Sequence, residues 1–552
     1  MENKEFIQFC LERNLLLDKE ILEIFKGIDL ETKKNLLLCI ERNLSSRLIN
    51  KKTLVENQNQ IKNFLANKLK GLDLNELKNF DKLFLELNLS FDELCLNKSQ
   101  KYNDSNKEEQ DSSKNKKESL QEQENKKQED FNSKEFFKQG KVKLTFLPKY
   151  EGKSFGVKDF VNHFKSRYDF LKKALQEHAE LNDLISLDKI SLDRRNFSVI
   201  GIVSDKRITK NNNILFEIED STGKIKVLIN NNKKELYDKA LDIPLDGVIG
   251  FKGSGNKEIM FCNDLVFPDS TLPERKLFPK EKEEECAIFI GDLHFGSKKF
   301  MKNQFEKFID YLNTGDKEVR KIKYLFIVGD VVTGVGNYPD QEYDLEIPNL
   351  EEQFSQFAGY LSQLRKDIKI IISPGNHDGV RLMEPQPLLN EKYAWPLYNL
   401  ENVILTTNPA RVNIASDKEK GFGGFEVLTY HGFSFPFYAN NIWSLIKVDA
   451  MNKPETIMKY LLKNRHLAPE HTSTQYVPSE EDGLIIKKIP DIFVSAHTHK
   501  SGITYYNNIL LISVSTWEEM TPYQEKFGNK PDHCKVPLVN LKTREVKILD
   551  FE

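Results

Sequence analysis

The chain lacks the features of a membrane or secreted protein. No apolar run in its 552 residues approaches the roughly 20 residues that cross a bilayer. Its first residues, MENKEFIQFC, do not form a signal-peptide pattern. Six cysteines are scattered without a C-x-x-C pair, which argues against a zinc ribbon and against a disulfide framework. We therefore expect a soluble, cytoplasmic protein in a reducing compartment, with no membrane partner.

A basic surplus is missing as well. The formal net charge is -3, and the segment from Asp193 to Asp264 holds 12 Lys and Arg against 11 Asp and Glu. A groove that tracks a nucleic-acid backbone normally has a clear basic excess. No polymerase signature is recognisable either. If this chain acts on nucleic acid, we expect a second subunit to hold much of the substrate.

Composition divides the first part of the chain into three segments. Residues 1–96 repeat apolar side chains at helical spacing without proline, which predicts a small helical module or, alternatively, a helix pair that docks a partner. Residues 97–135 are polar with mixed charge, as is typical of a disordered linker. Residues 136–191 contain an amphipathic stretch at 159–175 and are predicted to form a helical connector.

The rest of the chain predicts two further domains. Residues 192–270 alternate apolar and polar side chains, with a turn at Ser221 to Gly223, which suits a five-stranded OB-fold β-barrel. Because this segment is nearly neutral, we favour docking of a protein over binding of single-stranded DNA. Residues 271–552 have strand-like apolar runs and predict an α/β domain. The expected fold is thus multidomain.

Polar blocks follow five apolar runs in this last segment. They are GDLHFGS (291–297), GDVVTG (329–334), PGNHDGVR (374–381), TYHG (429–432) and SAHTHKSG (495–502). Chemistry in an open α/β sheet gathers where buried strands end. A lone D-x-H or H-x-H pair is common by chance, but five such blocks in order at strand ends are not.

The residue types in these blocks are those of metal ligands. Asp292 with His294, and His497 with His499, are two apart, so on an extended strand end they project from the same side. Asp330 offers two carboxylate oxygens, which can bridge ions about 3.5 to 4 Å apart. Carboxylate, amide and imidazole donors without thiolate suit manganese, which we favour, and also iron, zinc or nickel. We predict two divalent ions.

These blocks resemble those of the calcineurin-like metallophosphoesterase superfamily. The resemblance implies two ligand sets that share one carboxylate: Asp292, His294, Asp330 and His499 for one ion, and Asp330, Asn376, His431 and His497 for the other. It also implies that His377 ligates nothing, stabilises the transferring phosphoryl group and protonates the leaving oxygen, while Asp378 orients its imidazole. The implied reaction is phosphodiester hydrolysis, with both ions neutralising charge on the phosphoryl oxygens.

A closer resemblance covers the chain from about Asp159 onward. NYPDQ (337–341), EPQP (384–387), NRHLAP (464–469) and STWEEMTPYQ (515–524) are similar to segments of the small subunit of archaeal family D DNA polymerase. This resemblance implies a 3′ to 5′ proofreading exonuclease behind an OB domain, a large catalytic polymerase subunit as partner, DNA 3′ ends as substrate and a sliding clamp as a further partner. Two alternatives stay open. One is a catalytically inert scaffold; the other is a stand-alone phosphoesterase or repair nuclease, which would leave EPQP and RHLAP unexplained.

The sequence departs from that pattern at positions that are not predicted ligands. The family has Asp at the position of Thr333, Gly at those of Asp340 and Ala496, Gln at that of Glu518, and commonly a basic residue at that of Phe433. The methyl group of Ala496 adjoins His497 and is expected to press on its backbone. We expect an active enzyme whose rate depends on these substitutions.

Overall fold

The computed structural model describes residues 2–13, 15–25, 28–41, 48–49, 142–146, 155–270, 276–417, 419–526 and 528–552, with isolated positions between 53 and 83. The chain separates into two compact units, Met1–Glu122 and Gln123–Glu552. The predicted linker at 97–135 lies outside the described residues.

The first unit begins with three short helices: α1 Glu2–Glu12, α2 Lys19–Ile24 and α3 Leu30–Glu41. Two parallel two-residue strands, β1 Leu16–Leu17 and β2 Leu48–Ile49, pair beside them. Phe6, Ile21 and Phe25 are buried in the core of the unit. Most of residues 42–96 lie outside the described part, so the helical module predicted over 1–96 stays a prediction.

The segment that follows the predicted linker is not wholly helical. Its main element is the helix α4 Val157–Gln176, which packs Leu171 and Leu175 against the barrel that comes next. Ahead of this helix, however, Lys143–Phe146 forms strand β3 and pairs with the later strand Ala410–Ile414. The expectation of a purely helical connector is wrong here, because alternating side chains allow this stretch to extend a sheet edge.

Four antiparallel strand pairings and one parallel pairing, between β6 and β8, close a barrel in the order β4-β5-β6-β8-β7. Its strands are β4 Arg195–Ile208, β5 Ile214–Glu219, β6 Lys224–Ile229, β7 Val248–Gly255 and β8 Ile259–Val266, with helix α5 Lys234–Leu241 after β6. The turn between β5 and β6 forms because Asp220 Oδ1 accepts the N–H groups of Thr222 at 2.7 Å and Gly223 at 3.0 Å. The predicted five-stranded barrel is confirmed, and it lies within 192–270.

The last domain is built on two six-stranded sheets. The first has the order β12-β11-β10-β9-β18-β19, and the second has the order β16-β17-β15-β14-β13-β3. The strands are β9 Cys286–Ile290, β10 Ile322–Val328, β11 Lys369–Ser373, β12 Val403–Leu405, β13 Ala410–Ile414, β14 Phe425–Thr429, β15 Ile492–Ser495, β16 Gly502–Tyr506, β17 Ile509–Ser513, β18 Lys535–Asn540 and β19 Val546–Asp550. Strands β9, β10 and β11 are parallel, as are β14 and β15.

Helices cover the outer face of each sheet. They are α6 Lys302–Asn313, α7 Lys317–Arg320, α8 Leu350–Ser362, α9 Glu391–Tyr398, α10 Phe435–Asn441, α11 Trp443–Lys447 and α12 Pro454–Asn464. A short helix, α13 Pro522–Lys526, follows β17. None of the helices in the described part of the chain is both long enough and apolar enough for a membrane crossing.

The two sheets pack face to face through wholly buried side chains such as Phe289, Phe326, Val427 and Ile512. Because helices bury the outer faces too, these strands are apolar on both sides, which explains their continuous apolar runs. The parallel strands of each sheet present their carboxyl ends at one edge. The five polar blocks lie at that edge.

Candidate metal centre

The backbone turns sharply where the strands meet the polar blocks. Asp292, His294, Asp330, His497 and His499 all have positive φ, between 46° and 70°. Only a few per cent of residues other than glycine adopt this left-handed conformation, and they cluster at functional sites. The expectation that Asp292 and His294 converge from an extended strand end is therefore wrong, because turned backbone directs both side chains into the site.

One ligand group combines Asp292, His294 and His499, whose donor atoms lie within 4.8 Å of one another. The Nε2 atoms of His294 and His499 are 3.1 Å apart. Among the described residues, Asp292 Oδ1 and His294 Nδ1 are buried without a hydrogen-bond partner. A buried carboxylate oxygen and facing imidazole nitrogens lose free energy unless a cation satisfies them. This donor set fits a divalent metal.

A second ligand group combines Asp330, His431 and His497, again within 4.8 Å. His431 Nε2 lies 3.2 Å from Asp330 Oδ2 and 3.0 Å from Asn376 Oδ1. Asp330 also forms a third group with His294 and His377, and it therefore lies beside both sets of donors. This position is the one that a bridging carboxylate requires.

The electrostatics of the site favour cation binding. Burial lowers the pKa of His294 and His499, and that of His497 to about 3, which keeps these imidazoles in the neutral form that binds metal. Burial would also lower the pKa of His431, but Asp330 and Asp292 raise it to about 10. These two acidic side chains thus favour positive charge at this position.

His377 lies at the rim of both groups. Its backbone N–H donates to Asp330 Oδ1 at 2.7 Å, and its ring packs edge-on against that of His294, with centroids 4.9 Å apart. Ring Nδ1 is 3.0 Å from the main-chain oxygen of Thr333 and 3.1 Å from Asn337 Nδ2. The Thr333 carbonyl can only accept and the Asn337 amide nitrogen can only donate, so Nδ1 bonds to the first when it carries a proton and to the second when it does not.

Asp378 does not make the contact that its predicted role requires. Its Oδ1 accepts the backbone N–H of Val332 at 2.9 Å, and its Oδ2 accepts that of Gly375 at 2.7 Å. The expectation that Asp378 orients the imidazole directly is wrong. The carboxylate instead ties the loop after β10 to the loop after β11, and the Thr333 carbonyl orients His377.

A buried amide network, which the sequence alone did not indicate, supports the second group. Asn408 Oδ1 accepts the backbone N–H of His431 at 2.8 Å, and its Nδ2 donates to Gln386 Oε1 at 2.7 Å. Gln386 Nε2 then donates to the main-chain oxygen of Gly375 at 3.2 Å, next to Asn376. Asn408 and Gln386 thereby fix the backbone beside two predicted ligands, His431 and Asn376.

Other parts of the quoted segments also reach the site. Gln524, in α13, places Nε2 2.8 Å from His499 Nδ1. Glu384 accepts the hydroxyl of Tyr430 at 2.9 Å, and burial raises the pKa of Glu384 to about 7. The segments EPQP and TPYQ were recognised in the sequence through the family resemblance. No rule of residue spacing, however, predicts which residues the Glu384 and Gln524 side chains contact.

The departures from the family pattern are accommodated locally. Thr333 contacts His377 through its main chain, so its side chain is not part of that contact. The methyl group of Ala496 fits because Gly291 has no side chain. A Cβ atom at position 291 would lie only 3.0 Å from the Cβ atom of Ala496. Asp340 has φ 63°, a conformation that glycine adopts without strain. Phe433 packs edge-on against His497, with ring centroids 5.5 Å apart.

Known proteins resemble both the sequence and the site domain. The family model that describes the B-subunits of DNA polymerases alpha and epsilon matches residues 287–504. The DNA polymerase II small subunit of Methanothermobacter thermautotrophicus is 34% identical over 403 residues, which cover 72% of this chain and 80% of that protein. The chain belongs to the family of DNA polymerase II small subunits.

This chain covers a smaller share of some other relatives in this family. The Pyrococcus furiosus protein is 36% identical over 406 residues, which are 72% of this chain and 64% of that protein. Among solved structures, an archaeal phosphodiesterase aligns over 48% of this chain and 98% of its own, with 13% identity and a TM-score of 0.24. Zinc-bound Vps29 from Entamoeba histolytica also aligns over 48% of this chain and covers 99% of its own, with 13% identity and a TM-score of 0.22. Because these TM-scores are low, the assignment to the small-subunit family rests on the relatives found by sequence identity.

Proposed function

We propose that this small subunit is a two-metal phosphodiesterase that removes nucleotides from DNA 3′ ends, as the proofreading exonuclease of a polymerase. The observation that supports this most is that donor groups meet at Asp330, one of which includes His377. An inert scaffold would not need buried, unpartnered donors such as Asp292 Oδ1. A stand-alone phosphoesterase would not account for its membership of a polymerase subunit family.

The residues of the site have separate roles as metal ligands and as a proton donor. Asp292, His294, Asp330 and His499 would hold one ion, and Asp330, Asn376, His431 and His497 would hold the other. When bound, two divalent ions activate water and neutralise the charge that develops on phosphoryl oxygens. The Thr333 carbonyl and the Asn337 amide occupy Nδ1 of His377, so its Nε2 is the atom left to face the phosphoryl group and donate to the leaving oxygen.

We further propose that a large catalytic subunit binds the barrel, an OB domain, and the phosphoesterase domain rather than residues 1–96. The near-neutral charge of the barrel segment supports protein docking. The strand β3 belongs to the second sheet, so a fragment that starts near Phe136 keeps both sheets complete. That fragment is expected to capture the large subunit in a pull-down. If it fails while the full chain succeeds, the interface lies in the first unit.

A timed digestion of end-labelled single-stranded DNA tests the activity. The full chain is incubated with manganese, with and without the large subunit, and labels at the 5′ or 3′ end report polarity. We expect progressive shortening from the 3′ end that Asp330→Asn abolishes. Parallel reactions with iron, zinc or nickel compare the other metals. Two bound ions without any cleavage, even in the presence of the large subunit, would favour the scaffold alternative.

A further inference from the structure

An aromatic side chain stands exposed next to the predicted catalytic histidine. The loop after β10 carries Val335, Tyr338 and Tyr343, whose exposed fractions are 48%, 43% and 72%. Asn337, the residue before Tyr338, lies 3.1 Å from the His377 ring. Tyr338 therefore directly follows a residue that contacts the histidine at which the proposed function places a phosphodiester.

The Tyr338 ring is held in place rather than free to swing. Its hydroxyl donates to Asp344 Oδ2 at 3.0 Å. The backbone N–H of Asn337 donates to Gln341 Oε1 at 2.8 Å, and Gln341 Nε2 donates to the Thr333 oxygen at 3.0 Å. The Thr333 oxygen also orients His377, so one backbone carbonyl positions both the Tyr338 loop and the His377 ring.

The hydroxyl of Tyr338 is also kept uncharged. Burial, with the carboxylates of Asp344 and Glu518, raises its pKa. A neutral, fixed and half-exposed ring beside a phosphate site is the arrangement that proteins use to stack an unpaired base. The barrel segment, with 12 basic and 11 acidic residues from Asp193 to Asp264, provides no basic surplus for holding the strand.

We propose that Tyr338 stacks on the base of the terminal nucleotide of a single-stranded end and so holds that end for cleavage. This inference rests on the proposed phosphodiesterase function. Stacking needs only the flat face of a base, so the site would accept any of the four bases and would favour frayed, unpaired ends over paired ones.

Kinetics of the full chain with manganese test this role. Tyr338→Ala is expected to raise KM for a single-stranded oligonucleotide about 5- to 100-fold, the range for loss of one aromatic stack, with kcat little changed. On an oligonucleotide with an abasic 3′-terminal sugar, the variant and the wild type are expected to match. Tyr338→Phe keeps the ring but loses the hydroxyl contact with Asp344, so its KM should lie nearer to that of the wild type than to that of Tyr338→Ala.

Tyr505 offers a matched control. It is 50% exposed, and its hydroxyl donates to the Arg544 oxygen at 2.8 Å. It pairs with Leu510 near the start of β17, at the end of the sheet away from the site. Tyr505→Ala should leave KM unchanged on both oligonucleotides. Equal losses for Tyr338→Ala on ordinary and abasic ends would overturn the stacking role.

A binding assay separates this inference from the proposed function. A 2-aminopurine base at the 3′ end loses fluorescence when it stacks, whether or not cleavage occurs. Quenching by the wild type that Tyr338→Ala loses and Tyr505→Ala keeps would support stacking, even if no cleavage were found. Cleavage with equal quenching in all three proteins would overturn stacking alone, and absence of both quenching and cleavage would overturn both proposals.

Discussion

One buried arginine links the helix that precedes the barrel to the last domain. Arg167, in α4, and Asp482 are both fully buried, and Nε donates to Oδ2 at 2.7 Å. Arg167 Nη1 also donates to the main-chain oxygens of Pro469 at 2.6 Å and Asp246 at 3.3 Å. One guanidinium thus joins a helix, a barrel loop and the last domain.

Replacing Arg167 by Ala should destabilise the second unit strongly. The change removes three hydrogen bonds and leaves the Asp482 carboxylate buried without its guanidinium partner, a loss of about 3 to 5 kcal/mol in the free energy of unfolding. Urea denaturation followed by tryptophan fluorescence measures this, because Trp395, Trp443 and Trp517 all lie in the last domain.

A surface pair with the same geometry provides the control. Lys323 and Asp367 are also 2.7 Å apart, but their side chains are 37% and 49% exposed. Lys323→Ala should therefore cost less than about 1 kcal/mol. If Arg167→Ala costs no more than Lys323→Ala, the buried pair does not fasten the helix.

Three further outcomes are expected. His377→Ala should slow DNA cleavage about 10²- to 10³-fold while elemental analysis still finds two metals; loss of metal would make it a ligand instead. Asp330→Asn should deplete both ions, whereas Thr333→Ala should deplete neither, and two ions retained in Asp330→Asn would exclude bridging. Burial, then Arg167, lowers the pKa of His466 to about 4. Histidine in the unfolded chain has a pKa of about 6.5, so on acidification the unfolded chain is protonated at this residue before the folded chain is. The stability contributed by neutral, buried His466 is therefore complete above about pH 6.5 and is lost as the pH falls toward 4. His466→Gln should flatten the fall in unfolding free energy between these pH values, and an unchanged slope would refute this assignment.

Local pattern was enough to predict the strands that carry the site. Runs such as YLFIV before Asp330 are apolar because both faces of their sheet are buried, and a polar residue at the end of such a run marks a sheet edge. Alternating residues with hairpin turns likewise predicted the five-stranded barrel, because side chains on a barrel strand point alternately inward and outward. These features depend on near neighbours in the chain.

Contacts between distant residues were beyond such patterns. Asn408 reaches the backbone of His431, and Gln524 reaches His499, across loops that no periodicity connects. Asp378 bonds to two backbone N–H groups rather than to the neighbouring His377 ring, because folding brings the loop after β10 against it. The sequence by itself determined which residues could be ligands and where the strands lie. Only the tertiary structure decided which amides hold those ligands in place, since that depends on how the two sheets face each other.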